Sequence, residues 1–237
     1  MQVTVPTSQI LPTWHAIDTV LLDMDGTLLD LCYDNHIWNV RLPELYAANE
    51  RPQTAAVTAE AVDQARQKLF QHMHRVKGTI EYYDIDYWAS YSGVNMLALH
   101  EAHCDLIRYR PSAQQFLAWL GRNGCDRVLA TNAHRDSVVI KDRHAQLLVQ
   151  LDSHYSAHDF GYPKEQSRFW EQLQERTGFD PARTLFIDDN QAVLESAERY
   201  GIAHLRMVSQ PDSGQPAREA LHYPAFNDFA ELMPAAS

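Results

Sequence analysis

The sequence predicts an α/β fold: a parallel sheet with helices on both faces, interrupted by one helical insertion. Three observations carry this. Short apolar runs suited to buried strands recur, each closing on a carboxylate or a hydroxyl: Val20-Leu21-Leu22 before Asp23, Val128-Leu129-Ala130 before Thr131, and Leu185-Phe186-Ile187 before Asp188. Segments with helical periodicity separate and follow the later runs, the alternation that builds parallel sheets. Between residues 31 and 108 that alternation stops and only helical spacing remains.

Taken in order, the expected strands are Thr19–Asp23, Arg127–Thr131, Thr184–Asp188 and Ile202–Val208. Ala113, Phe116, Leu117 and Leu120 share one face of a helix from Pro111 to Asn123, with Gly124 free to supply a left-handed stop. Ile140, His144, Leu147 and Leu148 mark a second helix, and Phe169, Trp170 and Leu173 a third that ends at Gly178. Val193, Ala197 and Tyr200 mark a fourth, closed by Gly201. The tail from Gln210 to Gln215 reads as loop, and Asn227–Met233 as a short terminal helix. Within the insertion, Thr58 is suited to cap a helix carrying Val62, Ala65, Leu69, Met73 and Val76 up to Gly78. Asn95 can cap another, bearing Leu97, Leu99, Ala102 and Leu106, and Pro43 should kink or split the helix near Ile37–Ala48. The expected division is a core of residues 1–30 and 109–237 and a helical cap of residues 31–108, hinged near Leu29–Tyr33 and Leu106–Pro111.

Composition narrows the functional classes. With 45% hydrophobic and 22% charged residues among 237, the chain can bury a full core. No apolar run is long enough to span a bilayer, and Met1–Pro6 lacks the basic and apolar blocks of a secretory leader, so neither membrane nor export is expected. Cys32, Cys104 and Cys125 are too few and too scattered for a disulfide framework, which fits a cytoplasmic protein. A net charge of −11 argues against a nucleic acid polymer as partner. It does not argue against a small anion, because local fields dominate at a site. The sequence sets no oligomeric state.

The chemistry is written in the strand ends. Asp23 and Asp25 flank Met24 ahead of the Gly26-Thr27 turn. Two carboxylates held that close repel, and burial makes the repulsion costly unless a cation or a shared proton compensates. Mg²⁺, a hard ion that prefers carboxylate oxygen, is the expected cofactor. One carboxylate is then free to attack phosphorus while the other handles the proton. Taken singly, Asp188-Asp189-Asn190 reads as a helix N-cap, Lys164 as a surface lysine and Thr131 as a strand-end cap. Their joint order is the signal.

These segments, Asp23-Met24-Asp25-Gly26-Thr27, Val128–Asn132, Gly161-Tyr162-Pro163-Lys164 and Thr184–Asn190, resemble the four motifs of the haloacid dehalogenase (HAD) superfamily. The resemblance spans residues 19 to 190 and implies a Rossmann-like core with an inserted helical cap. It implies Asp23 as nucleophile, Asp25 as general acid/base, and Lys164 as the charge clamp. Thr131 and Asn132 would bind the phosphoryl group with Gly26 and Thr27 in the adjoining turn. Asp23, Asp25 (through its carbonyl) and Asp188 would hold Mg²⁺, with Asp189 ligating, acting through water or orienting Lys164. An acid at Asp25 fits phosphatases and phosphomutases rather than dehalogenases. The stretch Phe160–Glu165 with Phe169-Trp170 is similar to bacterial purine 5′-nucleotidases acting on GMP and IMP. The expected partner is therefore a small phosphomonoester. The alternatives are a sugar phosphate or phosphoglycolate phosphatase, a phosphomutase, or a non-catalytic Mg²⁺/phosphate-binding module. Two further clusters stand apart: His100-Glu101-Ala102-His103-Cys104, assigned to a cap or hinge surface, and the aromatic group Tyr82, Tyr83, Tyr87, Trp88 and Tyr91, read either as cap core or as a base-stacking platform.

Overall fold

Six parallel strands form the sheet of the computed structural model, which describes residues 10–50, 56–219 and 221–234. They are β1 (Thr19–Leu22), β2 (Asp126–Thr131), β3 (Ser153–Ser156), β4 (Thr184–Asp188), β5 (His204–Val208) and β6 (Ala225–Phe226), in the order β3-β2-β1-β4-β5-β6. Expected and observed bounds agree within two residues for β1, β2, β4 and β5. The edge strands β3 and β6 were not expected. Ser-His-Tyr-Ser has no apolar run and β6 is two residues long, so neither carries a strand signal.

Successive residues of a strand face opposite sides of its sheet. Val20 and Leu22 of β1 join Leu129, Leu185 and Ile187 on one face, under Phe116, Leu117 and Leu120 of a helix at Ala113–Arg122. Leu21 joins Val128, Ala130 and Phe186 on the other face, beneath helices Ser167–Thr177 and Gln191–Tyr200. Gly178 and Gly201 end these last two helices in left-handed conformation, as their positions imply. The helix at Arg135–Ala145 departs from expectation: it buries Ser137, Val138, Ile140 and Lys141, whereas His144 is exposed. A lysine on the inner face of a helix is invisible to a hydrophobic pattern. The terminal element is one 3-10 turn, Phe229–Leu232, closed by a capping box between Asp228 and Glu231.

Between β1 and β2 lies the helical insertion, which contains no named strand among the described residues. In chain order its helices are α1 (Cys32–His36), α2 (Leu42–Asn49), α3 (Ala59–Val76), α4 (Ile85–Ser92) and α5 (Met96–Glu101). The core helices already introduced continue as α6 (Ala113–Arg122), α7 (Arg135–Ala145), α8 (Ser167–Thr177) and α9 (Gln191–Tyr200). Thr58 and Asn95 cap α3 and α5 through Ala61 N and Ala98 N, as expected. As expected, the helix is divided near Pro43, which sits in the first turn of α2; a π-helical turn, Ile37–Arg41, links α1 to α2 with helical dihedrals at both joins. The carbonyl of Asn39, which proline cannot serve, accepts instead from the Arg66 guanidinium on α3 at 3.3 Å. On α5 the buried residues are Met96, Leu99 and His100, while Leu97 is 42% exposed.

The insertion has its own apolar cluster around Tyr33, Ile37, Leu42, Leu69, Trp88 and Leu99. Trp88 is fully buried there and donates to the Tyr82 carbonyl, so its place is structural. All three cysteines are unpaired. Among the described residues no helix is long and apolar enough to cross a membrane. Met1–Pro6, on which the leader expectation rests, lies outside the described residues.

Candidate active site

Strands β1, β2 and β4 are neighbours, and their carboxyl ends meet where the strand order reverses, the usual ligand crevice of such sheets. Asp23, Thr131 and Asp188 stand at those ends. A cavity of about 540 Å³ opens above them, between sheet and insertion, lined also by Asp25, Asn132, Lys164 and Asp189. Gly26 and Thr27 are absent from its wall. Gly26 has φ +81°, and a Cβ there would lie 2.9 Å from the Asp189 carboxyl carbon and 3.0 Å from Pro211. Its backbone freedom and its bareness therefore let Asp189 approach. Thr27 is fully buried, its hydroxyl without a partner.

Lys164 is the electrostatic centre. Its ammonium is 2% exposed and donates to Asp23 at 2.5 Å, Asp188 at 2.7 Å and the Ala130 carbonyl at 3.0 Å. Asn132 braces it: Oδ1 accepts from Lys164 N at 2.8 Å and Nδ2 donates to Glu165 at 3.1 Å. Trp170 holds the same turn by donating to the Lys164 carbonyl. Asp189 is bound instead by Arg218, which donates to its carboxylate at 3.2 Å. The expected orienting role thus falls to Asp23, Asp188 and Asn132.

One oxygen each of Asp23, Asp188 and Asp189 lies within 4.8 Å of the others. Burial, only partly offset by Lys164, pushes Asp23 up to about 7 and Asp188 up to about 6. Burial and then repulsion from Asp23 push Asp189 up to about 7. Burial and then the Asp34 charge push Asp25 up to about 6. Lys164 is raised too: burial works against its charge, but Asp188 and Asp23 outweigh it and hold the ammonium protonated.

Sequence reasoning missed a second buried lysine. Lys141 of α7 is 1% exposed and donates to Asp25 at 2.6 Å and to both oxygens of Asp34 on α1 at 2.8 and 2.9 Å. It ties the Asp25 loop to the first helix of the insertion. Its spacing from Ser137 and Val138 on one helical face was the available signal.

The two doubtful clusters also resolve. His100 is not at a surface: it is 1% exposed, 2.9 Å from the Tyr33 hydroxyl, lines the cavity, and is driven by burial down to about 3. Of the aromatic group, Tyr82 and Tyr83 line the cavity, whereas Tyr87 and Tyr91 stack on His72 away from it. Trp38 and Phe70 add apolar wall, and no sequence pattern had marked them.

A parallel sheet in this order, acidic pairs beyond its central strands and a helical insertion behind the first define a Rossmann-like α/β fold with a carboxylate-rich centre. The chain belongs to the haloacid dehalogenase-like hydrolases, whose family profile matches residues 17–201. It is 38% identical over 222 residues to the GMP/IMP nucleotidase YrfG of Escherichia coli (strain K12), covering 94% of this chain and 96% of that one. Its fold is similar to a HAD phosphatase from Thermococcus onnurineus, with TM-score 0.72, 17% identity and 91% and 95% of the two chains covered. It is also similar to the HAD hydrolase YfnB of Bacillus subtilis, solved bound to magnesium, with TM-score 0.63, 17% identity and coverage of 91% and 96%.

Proposed function

We propose that the protein is a Mg²⁺-dependent phosphomonoester hydrolase that works through an aspartyl-phosphate on Asp23 and acts on purine nucleoside 5′-monophosphates, GMP and IMP. The observation that carries this is the convergence of Asp23, Asp25, Thr131, Lys164, Asp188 and Asp189 on one cavity. The similarity to a GMP/IMP nucleotidase supports the substrate class.

The donors fit the ion. Three buried carboxylates face one another, and Lys164 and Arg218 are the cations bonded to them, a hard-oxygen set suited to Mg²⁺. Asp23, Asp188 and Asp189 would hold it, with the Asp25 carbonyl, since the Asp25 side chain turns to Lys141. Mg²⁺ supplies neutralisation of phosphoryl charge when bound. A carboxylate oxygen of Asp23 then attacks phosphorus in line, and the bond from phosphorus to the ester oxygen breaks. Asp25 gives that oxygen its proton, so the nucleoside leaves neutral. Water next attacks the aspartyl-phosphate; Asp25 takes the water proton, the phosphorus–Asp23 bond breaks, and phosphate departs. Thr131 and the backbone amide of Asn132 would donate to the phosphoryl oxygens, the Asn132 side chain being engaged with Lys164 N and Glu165, and Lys164 would keep Asp23 placed through the cycle. Residues 31–108 act as a closing cap that excludes water during transfer.

A substrate panel scored by phosphate release tests the reading. GMP and IMP are expected to show higher kcat/KM than pyrimidine nucleotides, phosphoglycolate or hexose phosphates. A sugar phosphate or phosphoglycolate ahead of every purine nucleotide by about tenfold, roughly 1.4 kcal/mol of transition-state binding, would overturn the nucleotidase assignment. Slow net release with activation by a bisphosphate would point to a mutase, and no hydrolysis of any ester to a binding module.

Metal binding has a thermodynamic signature. The folded pKa values of Asp23, Asp25, Asp188 and Asp189 lie above the ordinary 3.8. Each carboxyl therefore contributes stability that is fully present below pH 3.8 and is lost as pH rises through 6 to 7. A cation seated among them offsets that loss. The rise in Tm on adding Mg²⁺ is thus expected to be small near about pH 5 and larger near about pH 7.5. Equal shifts in differential scanning fluorimetry at both pH values would contradict a carboxylate site.

A further inference from the structure

A second group of ligating side chains lies at the seam between insertion and core. It comprises Asp84, which precedes α4 of the insertion, His134, which precedes α7, and His158, in the turn after β3. One oxygen of Asp84 and one ring nitrogen of each histidine lie within 4.8 Å of one another. His134 Nε2 is 3.9 Å from Asp84 and 4.0 Å from Asp86. The two imidazoles meet edge to face with centroids 4.8 Å apart.

His158 has the environment of a ligand. The Tyr83 backbone hydrogen-bonds the His158 ring, while His158 Nε2 is buried without any partner. With Nε2 unpartnered, the nitrogen serving Tyr83 is Nδ1, so Nε2 is left as a lone pair. On His134, Nε2 faces Asp84 and Asp86, while Nδ1 accepts from Asp136 N at 3.3 Å. A metal at Nε2 would displace the proton there, and Nδ1 would exchange that bond for the Asp136 carboxylate 3.8 Å away. Asp84 uses one oxygen to cap α4, accepting from Asp86 N and Tyr87 N, and has a second. The neighbouring guanidinium of Arg135 is already paired with Asp159 at 2.7 Å. Asp84, Asp86 and Asp136 leave the pocket net negative.

We propose that Asp84, His134 and His158 form a binding site for a borderline transition-metal ion such as Zn²⁺, distinct from the Asp23–Asp188–Asp189 centre, that clasps the insertion to the core. Two imidazoles and a carboxylate suit Zn²⁺ and not Mg²⁺, whereas the all-carboxylate centre has the reverse preference. Occupancy would fix Asp84 and with it Tyr83, whose hydroxyl bonds Glu165 of the core at 2.5 Å beside the cavity. The metal would therefore hold the cavity closed and slow exchange of substrate and product.

The test is calorimetric titration of Zn²⁺ into the full chain with excess Mg²⁺ present. One equivalent is expected to bind despite the Mg²⁺, and to inhibit Mg²⁺-dependent p-nitrophenyl phosphate hydrolysis. His158→Gln, and independently Asp84→Asn, which keeps a capping oxygen, should weaken that binding by about 10–100-fold and relieve the inhibition. Circular dichroism would establish that both variants are folded. Zn²⁺ binding abolished by Mg²⁺, or binding unchanged in both folded variants, would overturn the site. Neither outcome bears on substrate class, so the nucleotidase reading stands or falls separately.

Discussion

Asp23→Asn is expected to abolish steady-state hydrolysis, lowering kcat by about 10⁴-fold or more, roughly 5 kcal/mol of barrier, while leaving the fold intact. The amide is nearly isosteric but has no lone pair able to form an acyl phosphate. Asp23 is 6% exposed and 2.5 Å from the Lys164 ammonium. Asn in its place keeps an acceptor for that lysine and removes one charge from a crowd that repels it. The metal-free Tm should accordingly not fall. Acid-quenched wild type should carry a phosphoryl adduct on Asp23, and the variant none. Measurable turnover in a clean Asp23→Asn preparation would rule out the covalent route.

Lys141→Met should produce the largest loss of stability, about 3 kcal/mol, the lower end for breaking a buried ion pair. Its partners keep some solvent, with Asp25 and Asp34 side chains 20% and 15% exposed, which is why the lower end applies. Methionine matches the stem but leaves two carboxylates facing each other without a cation. The same change releases the Asp25 loop from α1, so kcat should fall as well. Adding Asp34→Asn removes half the uncompensated charge and should recover part of the stability but not the activity. Urea denaturation of the single and double variants measures this. A Lys141→Met protein as stable as wild type would show that the pair contributes nothing net.

The sheet and the polar residues at its carboxyl ends were legible because both obey local rules. Val20-Leu21-Leu22 and Leu185-Phe186-Ile187 are buried on both faces, so the apolar run itself is the strand signal, and the residue after each run must sit at the carboxyl edge. Caps were equally readable: Thr58, Asn95, Gly178 and Gly201 each satisfy a need set within a few residues of chain. Where the determinant was distant, sequence reading failed. His144 resembled an inner residue and Lys141 an outer one, since the partners of Lys141 lie 107 and 116 residues away. His100 looked superficial for the same reason, its neighbour Tyr33 being 67 residues distant.

Local chemistry by itself therefore determined the fold class and put Asp23, Thr131 and Asp188 at the ends of strands, since strand ends and turns are short-range features; Lys164 stood out only through the order of the motifs. Only the tertiary structure decided which buried charges pair, that Trp88 belongs to the insertion core while Tyr82 and Tyr83 face the cavity, and that Gly26 is bare to admit Asp189. The physical reason is that buried charges and close backbone contacts are stabilised by groups brought together across long loops, and a window of neighbouring residues holds no record of those groups.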